Sequence, residues 1–206
     1  DFFIEFMPLP LDFYTQSNVI NIAKSLIGKV LITKKDGILT SGIITETEAY
    51  NGINDRASHA FGGKITARNE AMYMNGGIAY VYLCYGIHHL FNVVTNVEGI
   101  PDAVLIRAIY PLDGLEIMQQ RASKKKMNAN GVGPGKLSAM LSINTADNKK
   151  SLITTDIIID DYGIKIPDDE IIITTRIGVK YAGNDALLPY RFLIKNGKIY
   201  KYKTQK

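Results

Sequence analysis

Residues 42–50 read GIITETEAY, an apolar stretch that carries two carboxylates, Glu46 and Glu48, and ends in an aromatic ring, Tyr50. Side chains alternate between the two faces of a strand, so these three residues share one face. Charged groups are buried in protein interiors only where partners are present. The stretch therefore predicts a core strand that brings at least one carboxylate into a packed pocket.

The neighbouring residues extend this strand into a hairpin. Residues 29–33 and 38–50 are rich in branched side chains, and Asp36-Gly37 between them suits a tight turn. A second pair of strands is predicted around a turn at Tyr85-Gly86. These two strands cover residues 79–84 and 89–95, and one further strand is predicted over residues 103–108.

Three short helices are predicted from caps and apolar spacing. The first begins after Ser17 as its N-cap, and the second is opened by the capping-box pair Asp113 and Glu116. The third begins near Pro134. The C-terminal part alternates short strands with turns, including a hairpin signal at Asn196-Gly197. Because the strands show little regular β-α-β alternation, we expect an α+β fold with a largely antiparallel sheet.

Length and composition favour one intracellular globular domain. The chain has 206 residues, of which 46% are hydrophobic, and its formal charge of +4 tolerates nucleic acid as a partner without requiring it. Cys84 is the single cysteine, which excludes an intramolecular disulfide and leaves no second thiol for a zinc site. Residues 1–11 lack a basic leader, and no run approaches the roughly 18 apolar residues of a spanning helix. We therefore expect no signal peptide and no membrane partner.

Glu48 is the candidate for proton transfer. Burial raises the pKa of a glutamate and a neighbouring cation lowers it, and either state can serve proton exchange with water. Arg107 follows the apolar run 104–106, where a guanidinium normally needs an acidic partner or an anion. Glu48 and Arg107 on adjacent strands would hold one water between them or form a simple salt bridge. The pattern also leaves open that Glu46 and Glu48 are only solvated or structurally paired.

Three tyrosines, Tyr80, Tyr82 and Tyr85, fall within six positions, and the last lies at a predicted turn. Stacking on an aromatic ring is worth roughly 1–3 kcal/mol per base, which would help offset the cost of extruding a nucleotide. Tyr85 is therefore a candidate for filling a vacated base stack. Cross-strand packing is the alternative explanation for aromatic residues on strands.

The three histidines do not suggest a metal site. His88 and His89 are adjacent, so on a strand they face opposite sides, and no pair has the helical spacing of a zinc motif. His59 lies in a long polar loop predicted over residues 51–75, and such loops are often functional. It is interpreted either as a neutral hydrogen-bonding group or as an ordinary surface histidine.

Basic residues cluster at three places. Arg121 and the lysines at 124–126 form one run, and the stretch GPGK at 133–136 leads into a helix with backbone amides suited to phosphate. Leu137 stands where a nucleotide-binding P-loop requires Ser or Thr, which excludes that motif. Lys64 and Arg68 in the long loop would join one DNA-facing surface if the fold gathers these groups. Otherwise the charges belong to solvated surface.

Several of these motifs occur together in one order and spacing. They are Glu46-Thr47-Glu48-Ala49-Tyr50, the His59 loop, Arg68-Asn69 with Met72, Tyr80-Val81-Tyr82, Tyr85-Gly86, Asn92, Leu105-Ile106-Arg107 and Gly133-Pro134-Gly135-Lys136-Leu137. In this combination the chain resembles the alkyladenine (3-methyladenine) DNA glycosylase family over about residues 11–194. It departs from the family at Ala67, where proline is frequent, and by two extra residues between Asn92 and Arg107.

The resemblance implies a fold and an activity. The fold is α+β, a single mixed domain over residues 1–206 with residues 1–10 as an N-terminal extension, and it has a curved, largely antiparallel sheet flanked by helices and a protruding β-hairpin. The activity is that of a monofunctional DNA glycosylase, which flips alkylated or deaminated purines out of duplex DNA and hydrolyses the N-glycosidic bond with a Glu-activated water. The substrate class would be 3-methyladenine, 7-methylguanine, hypoxanthine and ethenoadenine, and the reaction would start base excision repair. No metal, no organic cofactor and no strand-cleaving step is implied.

Residue roles also follow from the resemblance. Glu48 would be the general base, Arg107 would help to hold the water, and Tyr85 would be the wedge that replaces the flipped nucleotide. The base pocket would consist of Tyr50, His59, Tyr82 and Asn92, with Asn92 disfavouring normal guanine. Contacts to the DNA backbone would come from Lys64, Thr66, Arg68, Met72 and Lys136.

The expected partner is double-stranded DNA containing damaged purines, bound by a monomer. The expected location is the cytoplasm, with the nucleoid, in a bacterium or the nucleus in a eukaryote. Two other functions remain open. One is a module that binds distorted duplex DNA without catalysis, and the other is a glycosidase for free nucleosides or sugars with Glu46 and Glu48 as its carboxylate pair.

Overall fold

The structure is a computed structural model that describes residues 6–122, 133–195 and 199. The lysines at 124–126 and the predicted turn at Asn196-Gly197 lie outside the described residues. The strands are β1 (Val30–Lys35), β2 (Ile38–Tyr50), β3 (Ala79–Cys84), β4 (His88–Thr95), β5 (Asp102–Asp113), β6 (Ile157–Asp160), β7 (Ile171–Thr174) and β8 (Arg191–Ile194). The α-helices are α1 (Leu11–Tyr14), α2 (Val19–Ser25), α3 (Leu115–Arg121) and α4 (Pro134–Met140). Short 3₁₀ helices cover Gly52–Asn54, Phe61–Gly63, Glu70–Tyr73, Thr145–Asp147, Asp168–Glu170 and Lys180–Leu187.

Strand β2 organises the sheet. The strand order is β3-β4-β5-β2-β1-β6, with β8 pairing a second part of β2 and β7 pairing β8. One edge of β2 pairs with β5 along most of its length, whereas the other edge pairs first with β1 and then, at residues 46–48, with β8. Every strand pairing among the described residues is antiparallel. The prediction of an α+β fold on a curved, largely antiparallel sheet is confirmed.

The two faces of β2 have different environments. Thr47 and Ala49 are buried on the face covered by α2, where the Thr47 hydroxyl donates to the Ala23 carbonyl at 2.7 Å. Glu46, Glu48 and Tyr50 point to the opposite face, as their alternation predicts. Over residues 46–50 the main hydrophobic core therefore lies on one side of the strand, and the two carboxylates lie on the other side.

The hairpins predicted at Asp36-Gly37 and Tyr85-Gly86 are present. Asp36 and Gly37 connect β1 to β2 with φ values of 53° and 75°, the left-handed region that a tight hairpin turn requires. Tyr85 and Gly86 connect β3 to β4 with φ values of 50° and 72°. The Tyr85 side chain is 92% exposed, so the tip of this second hairpin protrudes into solvent.

Two predicted helix starts were wrong. The N-cap of α2 is Asn18, whose side chain accepts from the Asn21 amide, and not Ser17. The capping box at Asp113 does not form, because the Asp113 carboxylate is bonded to the Ser41 hydroxyl of β2 at 2.5 Å. β5 therefore continues to Asp113. Gly114 adopts the left-handed conformation, and α3 begins at the next residue. Within the described residues, no helix has the length and apolar character needed to cross a membrane.

The hydrogen bond between Thr47 and α2 makes a testable contribution to stability. The amide of Ile27 bonds to Lys24 instead of Ala23, so the Thr47 hydroxyl supplies a partner that the helix end does not. Replacing Thr47 by Val keeps the side-chain shape but leaves the Ala23 carbonyl buried without this partner. We expect a loss of about 1–3 kcal/mol in the free energy of unfolding, measured by urea denaturation. Thr45→Val, at a partly exposed position of the same strand, is the matched control, and an equal loss there would contradict the assignment.

Candidate active site

The centre of the polar face is the carboxylate of Glu48, which has no exposed surface. It accepts hydrogen bonds from three parts of the chain. The Ile177 amide donates to Oε1 at 2.7 Å, the Tyr50 hydroxyl donates to Oε2 at 2.9 Å, and Nη1 of Arg107 lies 3.4 Å from Oε2. A carboxylate has roughly four acceptor positions, so these three donors nearly saturate it.

Burial dominates the ionisation of Glu48. It raises the pKa of the carboxyl group, while the charge of Arg107 and the hydrogen bonds from Ile177 and Tyr50 oppose that rise, and the net pKa lies above its ordinary value of 4.5. Burial also raises the pKa of Tyr50, and the adjacent Glu48 carboxylate raises it further. The Tyr50 hydroxyl therefore keeps its proton and acts as a donor to Glu48.

Arg107 lies between the two glutamates. The β2–β5 register shifts on both sides of Glu46, and Arg107 is the unpaired residue between the pairs that Ala108 and Ile106 make with β2. Its Nε donates to Glu46 at 2.8 Å, and Nη1 of Arg191 donates to the same oxygen at 3.0 Å. Burial alone would lower the pKa of Arg107, but the two carboxylates outweigh it and keep the guanidinium charged. Both glutamates are therefore paired with arginine, and the contact to Glu48 is the longer one.

An aromatic pocket adjoins Glu48. Its empty space, counted together with the open solvent at its mouth, is about 340 Å³. The Tyr50 ring forms part of its wall, while the Tyr50 hydroxyl holds Glu48 behind that wall. The lining residues are Tyr50, Ala57, His59, Met72, Tyr80, Tyr82, Asn92, Ala103 and Tyr181. All four residues predicted for a base pocket are among them.

His59 is held by the tyrosines of β3. Its Nδ1 lies 2.8 Å from the Tyr80 hydroxyl, and its ring meets the Tyr82 ring edge to face with centroids 4.7 Å apart. Packing and the nearby charge of Arg68 lower the pKa of His59 below 6.5, although part of the ring stays exposed in the open pocket. The imidazole is therefore neutral at pH 7, as the interpretation as a hydrogen-bonding group requires.

Asn92 forms part of the pocket floor. It pairs with Tyr80 across the β3–β4 hairpin, and its side-chain amide donates to the Tyr80 carbonyl at 3.1 Å. Only 3% of the residue is exposed, so its position is fixed by the sheet. A rigid polar group at this depth limits the shape of any ring that enters.

The residues predicted to contact a DNA backbone do not all share one environment. Lys64 and Thr66 are exposed on the long loop, whose shape is set by Asn69 through bonds to Thr66, Lys64 and His59. The guanidinium of Arg68 lies over the Tyr82 ring at 5.3 Å.

Met72 is 2% exposed and forms part of the pocket wall, and its contact with the DNA backbone stays a prediction. Lys136 lies on α4 beside Gly135, whose Cα approaches His88, next to the turn of the β3–β4 hairpin, so closely that a Cβ would clash. Arg121 has a structural contact, since its Nη1 donates to the Met140 carbonyl at 3.2 Å.

Sequence reasoning missed the segment of residues 175–190. It supplies the Ile177 amide to Glu48, the Tyr181 ring to the pocket and the guanidinium of Arg176, which is paired with Asp55. The available signal was the same as for Arg107, an arginine next to apolar residues after a strand. Its partner Asp55 lies 121 positions away in sequence, and nothing in the pattern joined the two.

Comparison with known proteins agrees with this geometry. A model of the methylpurine-DNA glycosylase family matches residues 12–198. A provisionally named 3-methyladenine DNA glycosylase of Chlamydia pneumoniae is 45% identical over 184 residues, which cover 88% of this chain and 92% of that protein. A protein of the same name from Clostridium acetobutylicum is 41% identical over 202 residues, covering 93% of this chain and 96% of its own.

The raised pKa of Glu48 predicts that this buried carboxylate lowers the free energy of unfolding at neutral pH. The folded protein holds the Glu48 proton more tightly than the unfolded chain, so stability is lost as the pH rises from 4.5 through the raised pKa. Glu48→Gln should therefore increase the free energy of unfolding at pH 7, and the gain should vanish below pH 4.5, where both states are protonated. Urea denaturation across this pH range measures it.

Glu46→Gln is the matched control for that experiment. Glu46 is partly exposed and shared by Arg107 and Arg191, so its replacement removes charge-assisted bonds without relieving a fully buried charge. We expect a loss of about 1–3 kcal/mol at pH 7. A stabilising Glu46→Gln together with a destabilising Glu48→Gln would contradict the assignment.

Proposed function

The chain belongs to the methylpurine-DNA glycosylase family and is a hydrolytic DNA glycosylase, and from this premise we propose that it excises alkylated and deaminated purines from duplex DNA. The substrates would be bases of the 3-methyladenine, 7-methylguanine, hypoxanthine and ethenoadenine class. Excision leaves an abasic site and starts base excision repair. The observation that carries the proposal is a buried carboxylate, Glu48, bonded to the wall of an aromatic pocket through Tyr50.

The pocket fits a planar base that has been flipped out of the helix. An enzyme cannot reach the glycosidic bond of a stacked nucleotide, so the damaged base must be extruded. The rings of Tyr50 and Tyr82 would stack on it, and neutral His59 would hydrogen-bond to it. Alkylated purines that carry positive charge gain further from the electron-rich faces of the tyrosines.

Asn92 and the pocket shape would provide selectivity. Its side chain is fixed against β3, so the exocyclic amine of normal guanine would crowd it. A buried polar group that is left without a partner, or compressed, costs free energy that the correct base does not incur. Selection would therefore combine shape with the ease of extrusion of a damaged base.

Glu48 would activate the attacking water. The 3.4 Å contact between Nη1 of Arg107 and Oε2 of Glu48 is the longest of the three at the carboxylate. A water inserted there would accept from Arg107 and give its proton to Glu48, while its oxygen bonds to the sugar carbon and the C–N glycosidic bond breaks with its electron pair leaving on the base. The raised pKa of Glu48 brings this base closer to neutral pH.

Glu48 would also stabilise the transition state. Cleavage of an N-glycosidic bond builds positive charge on the sugar, and a carboxylate in a site with little water stabilises that charge strongly. No lysine lines the described pocket, and we propose hydrolysis in one step without a Schiff base. The enzyme would therefore not cleave the strand.

Tyr85 would occupy the gap that the flipped nucleotide leaves. It lies at the tip of the β3–β4 hairpin, three residues beyond Tyr82 of the pocket, and its backbone is held at a φ of 50°. This conformation is uncommon for a residue with a large side chain and is found preferentially at functional positions. The same strand would thus place the pocket and the wedge.

We also propose that the whole chain acts as one domain and as a monomer on DNA. The family match spans residues 12–198, so residues 1–10 would be an extension. Lys64, Thr66, Arg68 and Lys136 would contact the phosphates, which predicts affinity that falls steeply with salt. Such an enzyme would work where the DNA is, with the nucleoid of a bacterial cell or in the nucleus of a eukaryotic one.

The first test is release of base from duplex oligonucleotides that contain hypoxanthine or an alkylated adenine, with alkali used to reveal abasic sites. Glu48→Gln should lower the single-turnover rate by about 10²–10⁴-fold and leave duplex binding largely intact. If the native protein binds damaged duplex but releases no base across these lesions, a binding module is the better account. Release from free nucleosides with a flat salt response would instead indicate a nucleoside glycosidase.

The wedge is tested by Tyr85→Ala. Loss of one stacked ring should weaken binding of ethenoadenine duplex about 5- to 100-fold, and ethenoadenine fluorescence should report a smaller flipped population. Tyr110→Ala removes a partly exposed tyrosine of β5 that does not line the pocket and is the matched control. Equal effects of both substitutions would argue against a wedge.

A further inference from the structure

Arg176 and Asp55 form an ion pair with almost no solvent contact. Nη1 of Arg176 lies 2.5 Å from Oδ2 of Asp55, and Nη2 donates to Oδ1 at 2.9 Å. The arginine side chain has no exposed surface and that of the aspartate is 2% exposed. Nε of Arg176 is buried without a hydrogen-bond partner among the described residues. Desolvating such a pair is costly, and apolar residues in its place often give a protein equal or greater stability. The ion pair therefore suggests a role other than stabilising the fold.

The Arg176 guanidinium joins three parts of the chain. Besides Asp55 of the long loop, it donates to the Ala49 carbonyl of β2 at 3.0 Å and to the Asp185 carbonyl at 3.0 Å. Ala49 stands between Glu48 and Tyr50, so the guanidinium grips β2 at the active-site residues themselves. The carboxylate of Asp55 in turn accepts from the amide of Ala57, a pocket residue.

Two of the three donors to Glu48 depend on this arginine. Ile177, the next residue in the chain, places its amide 2.7 Å from Oε1 of Glu48. Tyr50, whose hydroxyl donates to Oε2, has the Arg176 guanidinium 4.9 Å from its ring centre, and Tyr190 has it at 5.2 Å. The planar guanidinium therefore fixes the Tyr50 ring as well as the Ile177 amide.

We propose that the Arg176–Asp55 pair is a clamp that positions Glu48 for catalysis. It holds the Ile177 amide on Oε1, which prevents rotation of the carboxylate and keeps Oε2 directed at Arg107 and the incoming water. Arg176 is a positioning residue and is not among the residues that line the pocket. The inference rests on the proposed role of Glu48 as general base and extends it to residues outside the pocket.

The clamp makes a prediction about pH dependence. The groups that surround Glu48 are Glu46 and Tyr50 of β2, Arg107 of β5, Arg191 of β8, and Arg176, Ile177 and Tyr181 of the 175–190 segment. Of these, the Ile177 amide lowers the pKa of Glu48 by hydrogen bonding to its charged form. If the clamp is released, this contribution is lost and the pKa of Glu48 rises further. The acid limb of the pH–rate profile should then move to higher pH.

The test compares the full-length native protein with Arg176→Lys, Arg176→Gln and Asp55→Asn in single-turnover release of hypoxanthine from duplex DNA. We expect the rate at pH 7 to fall about 10- to 100-fold, with little change in the Kd for the duplex, because displacement of a catalytic group by about 1 Å has effects of this size. Arg176→Lys keeps the charge but not the two-point contact, and it should lose less than Arg176→Gln.

Two controls separate positioning from general structural damage. Lys35→Gln breaks another largely buried ion pair, that between Lys35 and Asp147, at a place remote from Glu48, and it should leave the rate and pH profile unchanged. In a Glu48→Gln background, Arg176→Lys should have no further effect on the residual rate, because residues that act as a unit are not additive.

A variant-independent measurement covers the case in which substitutions at the clamp prevent folding. In the native protein labelled with ¹⁵N, the Ile177 amide resonance should be protected from exchange and should titrate with the pKa seen in the rate profile. A rate loss that is uniform in pH, additivity with Glu48→Gln, or an Ile177 amide that does not titrate would overturn the clamp. If the native protein releases no base at all, the proposed function fails, and the Ile177 titration still decides whether this amide is held on Glu48, as the clamp requires.

Discussion

The burial of the Glu48 carboxylate is the constraint around which the rest of the site is built. A charge with no exposed surface must have its acceptor positions filled by the protein, because water does not do so. Three donors meet this requirement, and each comes from a different region and depends on a different structural device. Strand alternation brings Tyr50 to the carboxylate, an irregular register brings Arg107, and a buried ion pair places Ile177.

The burial of Glu48 also gives the two faces of strand β2 different roles, one in stabilising the fold and one in forming the site. On one face of β2, Thr47 and Ala49 close the main core against α2. On the other face, burial keeps the pKa of Glu48 raised, which costs stability and is useful for proton transfer. Such a division is possible because neighbouring residues of a strand point in opposite directions. Packing in the core therefore offsets the loss of stability caused by burying Glu48.

The pocket shows how an aromatic wall can be selective and still rigid. Tyr80 does not belong to the predicted base pocket, yet it orders His59 with its hydroxyl and accepts from Asn92 with its carbonyl. Tyr80 and Asn92 are fixed opposite each other on paired strands, and His59 of the long loop is held by its contacts with Tyr80 and Tyr82. The chain belongs to the methylpurine-DNA glycosylase family, and a pocket whose polar groups are held in this way suits discrimination among similar rings.

The sequence by itself determined the features that depend on neighbouring residues. Both hairpins followed from their turn residues, the inward carboxylates from strand alternation, and the importance of Arg107 from the apolar run before it. Tertiary structure decided whatever depends on partners distant in the chain. Asp113 bonds to Ser41 and caps no helix, Met72 is buried in the pocket wall, and Arg176 finds Asp55 across 121 positions. The physical reason is that local geometry is fixed by adjacent residues, whereas the partner of a buried charge is chosen by the packing of the whole chain.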